Sequence, residues 1–142
     1  MDIVLGADHG GFELKEACKV HMESLPDYSV RDMGVFSPDP ADYPKVAHDV
    51  ARAVANGEFD RGVLICGTGL GMSIVANRYK GIRAALCHNL YTARMGRQHN
   101  DANILVMGGR VIGVGLALEM VDLFLMTPSE GGRHQRRVGQ ID

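Results

Sequence analysis

The stretch "RGVLICGTGLGMSIVANR", residues 61–78, carries the reading of the fold. Its first part, 61–67, is a near-continuous apolar run, as expected of a parallel strand covered on both faces. Three alternating glycines follow, Gly67, Gly69 and Gly71, and then a segment of helical character. Strand, tight turn and helix in that order form one βα unit of an open sheet. The same alternation runs through the rest of the chain. Further strands are expected at 2–7, 28–34, 82–87 and 103–108. Leu14, Cys18, Met22 and Leu25 mark an apolar helix face in 12–25, and Val46, Val50 and Val54 mark a second helix, ended by Asn56-Gly57. Helices are also expected at 72–79, 89–98 and 111–126, and the three prolines of 36–44 make that segment a loop. The expected fold is α/β: a Rossmann-like three-layer sandwich around a five-stranded parallel sheet. It forms one domain, 1–142, with a polar, basic tail at 130–142.

Composition bounds the function. The 142 residues are 46% hydrophobic and 23% charged, an ordinary globular balance. Fifteen Lys and Arg against seventeen Asp and Glu give a net charge of -2, so no basic field argues for nucleic acid. Three cysteines without a C-x-x-C pair read as a reducing compartment. There is no signal-peptide pattern at the N-terminus and no apolar run long enough for a bilayer, so a cytoplasmic protein without a membrane partner is expected. The six histidines form no H-E-x-x-H or Cys/His set, so no metal is expected. His21 and His48 are read as exposed helix residues.

Ligands of open α/β sheets bind beyond the carboxyl ends of the strands. Asp8 and His9 follow the first strand, Cys66 to Thr68 the third, and His88 the fourth. The loop before the fifth strand carries His99, Asn100 and Asp101. Because it joins a helix to a strand, it belongs at the other edge of the sheet. For His99 to share a site with Cys66, it must come from a second subunit.

The glycine loop fits neither common nucleotide motif. Met72 stands where G-x-G-x-x-G needs its last glycine, and the Lys-Ser/Thr of a P-loop is missing. It fits an anion nest, in which successive N–H groups from Gly67, Thr68, Gly69, Leu70 and Gly71 face negative charge. The same helix start and nearby cations favour a thiolate at Cys66, whereas Cys18 and Cys87 read as buried apolar residues. A phosphatase nucleophile needs an arginine at the sixth position after the cysteine, where Met72 stands. A base fits better. Proton abstraction beside a carbonyl needs a base, an oxyanion site and an anchor. Arg133, Arg136 and Arg137 offer a phosphate anchor.

"GADHGG", "DYP", "ICGTGLGMSIVANR", "RQHNDANIL" and "GGRHQRRV", in this order and spacing, resemble the type B ribose-5-phosphate isomerases and their wider family of sugar-phosphate isomerases. The resemblance spans essentially the whole chain. It implies a dimer, in some members a tetramer, no cofactor, and interconversion of ribose 5-phosphate and ribulose 5-phosphate through a cis-enediolate. By motif, it implies Cys66 as the base, Gly67 to Gly71 as the anion hole with Thr68 assisting, and His99 as the acid that opens the sugar ring. Asn100 and Asp8 would hold substrate, and His9, Arg110, Arg133 and Arg137 would contact phosphate and substrate, some from the partner subunit. Arg136 falls outside the pattern; His134 falls on it and is read as packing. Some relatives use a glutamate later in the helix as base, but "MSIVANR" has no acid. Six-carbon sugar phosphates, such as allose or galactose 6-phosphate, and a non-catalytic sugar-phosphate binder are the alternatives.

Overall fold

The computed structural model describes all of residues 1–142. Strand β1 (Asp2–Ala7) leads to helix α1 (Phe12–Glu23), β2 (Ser29–Asp32), α2 (Tyr43–Ala55), β3 (Arg61–Cys66) and α3 (Leu70–Ala76). Then come β4 (Ala84–Leu86), α4 (Leu90–Asn100), β5 (Ile104–Gly108), α5 (Val114–Met126) and α6 (Gly132–Val138). The five strands form one parallel sheet in the order β2-β1-β3-β5-β4. After β1 the chain turns to one side of the sheet, and after β3 to the other. The carboxyl ends of β1 and β3 therefore flank the topological switch point, where such sheets open a crevice.

The period-2 alternation of the strands sorts side chains into two cores. Ile3, Leu5, Ala7, Val63, Ile65, Leu105 and Met107 face α1, α4 and α5, packing on Leu14, Cys18, Met22, Ala93 and Phe124. Val4, Leu64, Cys66, Ile104 and Val106 face α2 and α3, packing on Val46, Val50, Val54, Met72 and Ala76. Every one of these side chains is buried. Helix ends follow local chemistry. Pro44 opens α2, and Gly57 at φ 76 follows its end. Asn89 caps α4 by accepting the Thr92 N–H at 2.8 Å. The Asn77 side chain pairs with both backbone groups of Ala84, at 2.8 and 2.9 Å, and so joins the end of α3 to β4.

Several expectations are corrected. The second strand is shorter than 28–34, although Met33 to Val35 still bond to the end of β1 through Leu5 and Ala7. The fourth strand keeps three residues of the expected six. The fifth helix begins at Val114 because Val111 and Ile112 fold into a turn on the Gly108 carbonyl. His99 and Asn100 are the last turn of α4, not a loop. The basic tail contains α6, which burial of His134 secures against the body of the molecule. His21 is half-buried and engaged with Asp122 at 2.7 Å, whereas His48 is exposed as expected and bonds the Tyr79 hydroxyl at 2.7 Å.

Candidate active site

Three strand ends are knit together at the switch point. Ala7 lies in register with Ile65, and Cys66 with Gly108. The Asp8 N–H donates to the Ile65 carbonyl at 3.2 Å, the Gly109 N–H to Cys66 at 2.8 Å, and the Arg110 N–H to Gly67 at 3.0 Å. Backbones meet closely here: a Cβ on Gly109 would sit 2.6 Å from the Gly10 carbonyl oxygen. Asp8 is buried, and its Oδ1 accepts the N–H groups of Gly10 and Gly11 at 2.9 and 3.2 Å. That turn fixes the carboxylate beside the end of β3.

Cys66 is 5% exposed, on the sheet face covered by α2 and α3. Its Sγ accepts the Gly69 N–H at 3.1 Å. Gly69 stands at φ 79, a left-handed conformation that lets the chain turn sharply from β3 into α3. A Cβ there would also meet Leu86 Cδ1 at 2.4 Å. The Leu70 N–H is taken up by Thr68 Oγ1 at 3.3 Å. The expected nest of five amides is therefore smaller: Gly69 and Leu70 serve the loop itself. Gly67, Thr68 and Gly71 keep N–H groups with no acceptor in the chain, available to an anion. The Arg110 guanidinium lies over Gly67, its Nη1 3.4 Å from where a Cβ would stand.

His9 is exposed, and its Nδ1 accepts the Ala41 N–H at 3.1 Å. With Nδ1 accepting, the neutral ring carries its proton on Nε2, which is then a donor. Tyr43, absent from the residues singled out in sequence, packs its ring against Gly71. Its signal in the sequence is the "DYP" tripeptide, which stands in the proline loop 36–44 and among the family motifs. The other cysteines are inert: burial pushes Cys18 up to about 12 and raises Cys87 as well.

His99, Asn100, Arg133 and Arg137 are not with Cys66. They lie where α4 returns to the amino edge of the sheet. There the Asn103 carbonyl accepts the Gly62 N–H at the start of β3. Cys66 is four residues further, about 13 Å along the strand. His99, Asn100, His134 and Arg137 line a cavity of about 250 Å³. The His99 and His134 rings stack with centroids 4.1 Å apart and planes 5° from parallel. Glu130 Oε2 stands 3.4 Å from His134 Nε2 and 4.0 Å from His99 Nε2. Burial, then the charges of His99 and Arg133, push His134 below the usual histidine range. Arg133 and Arg137 are exposed.

His99, Glu130 and His134 also gather three possible metal ligands, which the sequence spacing does not place together. Stacked rings aim their nitrogen lone pairs side by side, however, whereas a metal needs them convergent. Arg133 Nε, 3.4 Å from His134 Nε2, adds a competing cation.

Fold and site together define a doubly wound α/β enzyme, with a thiol and free amides at its switch point. A family model described as Ribose/Galactose Isomerase matches residues 3–141. Ribose-5-phosphate isomerase B of Escherichia coli is 50% identical over 139 residues, 98% of this chain and 93% of that one. The structure of Clostridium thermocellum ribose-5-phosphate isomerase B is similar at a TM-score of 0.96 and 52% identity, covering 99% of this chain and 95% of that one. A D-erythrulose-4-phosphate isomerase of Pectobacterium atrosepticum is 39% identical over 145 residues, 99% of this chain and 93% of that one. The chain belongs to the ribose/galactose isomerase family, and it is a sugar-phosphate isomerase of the aldose–ketose kind.

Proposed function

We propose that this protein interconverts D-ribose 5-phosphate and D-ribulose 5-phosphate in a composite site between two copies of the chain. The observation that carries the proposal is the Cys66 sulfur, oriented by the Gly69 N–H and set beside the free amides of Gly67, Thr68 and Gly71. A proton shift between C1 and C2 needs that pairing of a base with an oxyanion site. His99 of a second subunit protonates the ring oxygen as the C1–O bond breaks and the anomeric hydroxyl gives its proton to solvent, leaving the open aldehyde, with Asn100 and Asp8 holding hydroxyls. Cys66, as thiolate, then takes the C2 proton. The electron pair forms the C1–C2 double bond, and the former carbonyl oxygen carries negative charge toward the free amides. Return of the proton to C1, with transfer of a hydroxyl proton from O2 to O1, gives the ketose.

Two half-sites at opposite edges of one sheet support the dimer. Each has half of the needed equipment: base and amides at one edge, ring-opening acid and phosphate cations at the other. His9 and Arg110 contribute phosphate or hydroxyl contacts from the base's own subunit, and Arg133 and Arg137 contribute from its partner. No residue in this scheme needs a cofactor. The three free, buried cysteines favour a reducing compartment such as the cytoplasm.

The test is proton exchange. The protein is incubated with ribose 5-phosphate in deuterium oxide and the C2 proton followed by NMR, beside Cys66→Ala. Loss of the C2 proton with ribulose 5-phosphate appearing, abolished in Cys66→Ala, is the expected result. Exchange that survives in the variant removes Cys66 as base. No exchange with the pentose, but exchange with a four- or six-carbon sugar phosphate, moves the substrate and keeps the chemistry.

A further inference from the structure

The half-site at the amino edge depends on a side chain that reaches into none of its cavity. Arg97 lies on α4 two residues before His99 and is 2% exposed. A buried guanidinium is tolerated only where its donors are satisfied. Arg97 Nη1 donates to Asp101 Oδ1 at 2.9 Å and also to the Ala102 carbonyl, while Nε donates to the Thr127 carbonyl at 3.1 Å. The guanidinium also lies over the Phe124 ring, 5.7 Å from its centroid.

Each partner belongs to a different part of the half-site's frame. Asp101 ends α4 at φ 46, a left-handed conformation costly for any residue with a Cβ. Its second carboxylate oxygen and its carbonyl are held by Arg83, at 3.2 and 3.0 Å. Thr127 begins the segment that leads to α6. That segment is tied to α4 once more, by the Glu130 N–H on the Gln98 carbonyl at 3.0 Å. One side chain thus spans from the end of the helix bearing His99 and Asn100 to the root of the helix bearing Arg133 and Arg137.

We infer that Arg97 is a positioning residue, whose planar fork sets the spacing between His99–Asn100 and the α6 cations. The inference rests on the proposed role of those residues in holding a sugar phosphate. Lysine retains the charge but gathers its three donors on one nitrogen, whereas Arg97 reaches Asp101 and Thr127 from separate nitrogens of a planar fork. Misplacing a binding group by about 1 Å can cost roughly 100-fold in efficiency.

Arg97→Lys tests the inference through two readouts. The first is imidazole titration by NMR, without substrate, of a pair faced by Glu130 from the connecting segment and by Arg133 and Arg137 from α6. In the variant the stacked pair loosens, and His134 moves up toward the usual histidine range. The second is steady-state kinetics with ribose 5-phosphate, where kcat/KM is expected to fall about 100-fold, mainly through KM. A variant with lower Tm but unchanged titration and unchanged KM would make Arg97 merely structural and overturn the inference. If Arg97→Lys does not fold, Asp101→Gly carries the same readouts, because glycine accepts φ 46 without strain while the Arg97 carboxylate partner is lost. Wild-type protein that fails to turn over the pentose phosphate defeats the proposed function, and the substrate-free titration still decides the role of Arg97.

Discussion

The two edges of the sheet are built from different materials. At the carboxyl edge, backbone does most of the work: free amides of Gly67, Thr68 and Gly71, a turn around Asp8, and glycines where chains touch. Cys66, the proposed base at that edge, is itself oriented by a backbone N–H. At the amino edge the groups are side chains throughout: His99, His134, Glu130, Arg133 and Arg137, carried on helix ends. Backbone amides at fixed strand ends cannot reorganise, which suits stabilisation of a charge that appears during reaction. Long cationic side chains adapt, which suits capture of a phosphate already charged in solution. In the proposed scheme the proton shift between C1 and C2 falls to the carboxyl edge, and ring opening with the Arg133 and Arg137 contacts to the amino edge.

Substitutions can break this division. The largest effect is expected from Cys66→Ala, which should lower kcat by roughly 10³-fold, in the range for loss of a general base, with little change in Tm. A comparable loss of kcat from Arg133→Ala or Arg137→Ala would reverse the assignment. Gly69→Ala comes next. It strains a left-handed residue by about 1–2 kcal/mol, drives a Cβ against Leu86, and shifts the N–H that holds Cys66. Thermal unfolding should show a clear drop in Tm, accompanied by a fall in kcat rather than a rise in KM.

Arg137→Ala should act in the opposite sense. Loss of one charge-assisted hydrogen bond to phosphate raises KM about tenfold, leaves kcat nearly intact, and leaves Tm unchanged on an exposed helix face. Adding salt should shrink the difference between this variant and the wild type, since screening weakens exposed charges. Initial rates across substrate and salt concentrations check both points.

The smallest effect is expected at the end of β2, apart from both half-sites, where Asp32 meets the buried Lys15 at 2.6 Å. Burial pushes the Asp32 carboxyl up, but the Lys15 hydrogen bond, the Gly34 N–H and Lys19 outweigh it and hold it below the usual carboxylate range. Its folded pKa is thus lower than its unfolded value. The stability it contributes is complete above about pH 4 and is lost as pH falls through the folded value. Urea unfolding between pH 5 and pH 3 should lose stability more steeply in the wild type than in Asp32→Asn. Activity at neutral pH should separate this pair from either half-site by changing little.

Much of the fold was legible in residues 61–78 and their echoes along the chain. An apolar run, a glycine turn and a helix can satisfy backbone and bury side chains in few ways, so strand, helix and layer followed from local pattern. The carboxyl-edge residues were legible for the same reason, since strand ends are local features: Asp8, Cys66 and the glycine loop each directly follow or close a strand. What local pattern could not give was set by contacts distant in sequence. The nest shrank from five amides to three because Cys66 Sγ and Thr68 Oγ1 take two of them. The tail became α6 because His134 finds the His99 ring, 35 positions away in the chain. Tyr43 met Gly71, and Arg97 met Thr127, only through the packing of separate helices. The sequence determined the sheet, its layers and the chemistry at its carboxyl edge, because hydrogen-bonding pattern and side-chain period act between neighbours. Tertiary packing alone assembled the amino-edge half-site, because side chains from separate segments converge only once the helices are in place.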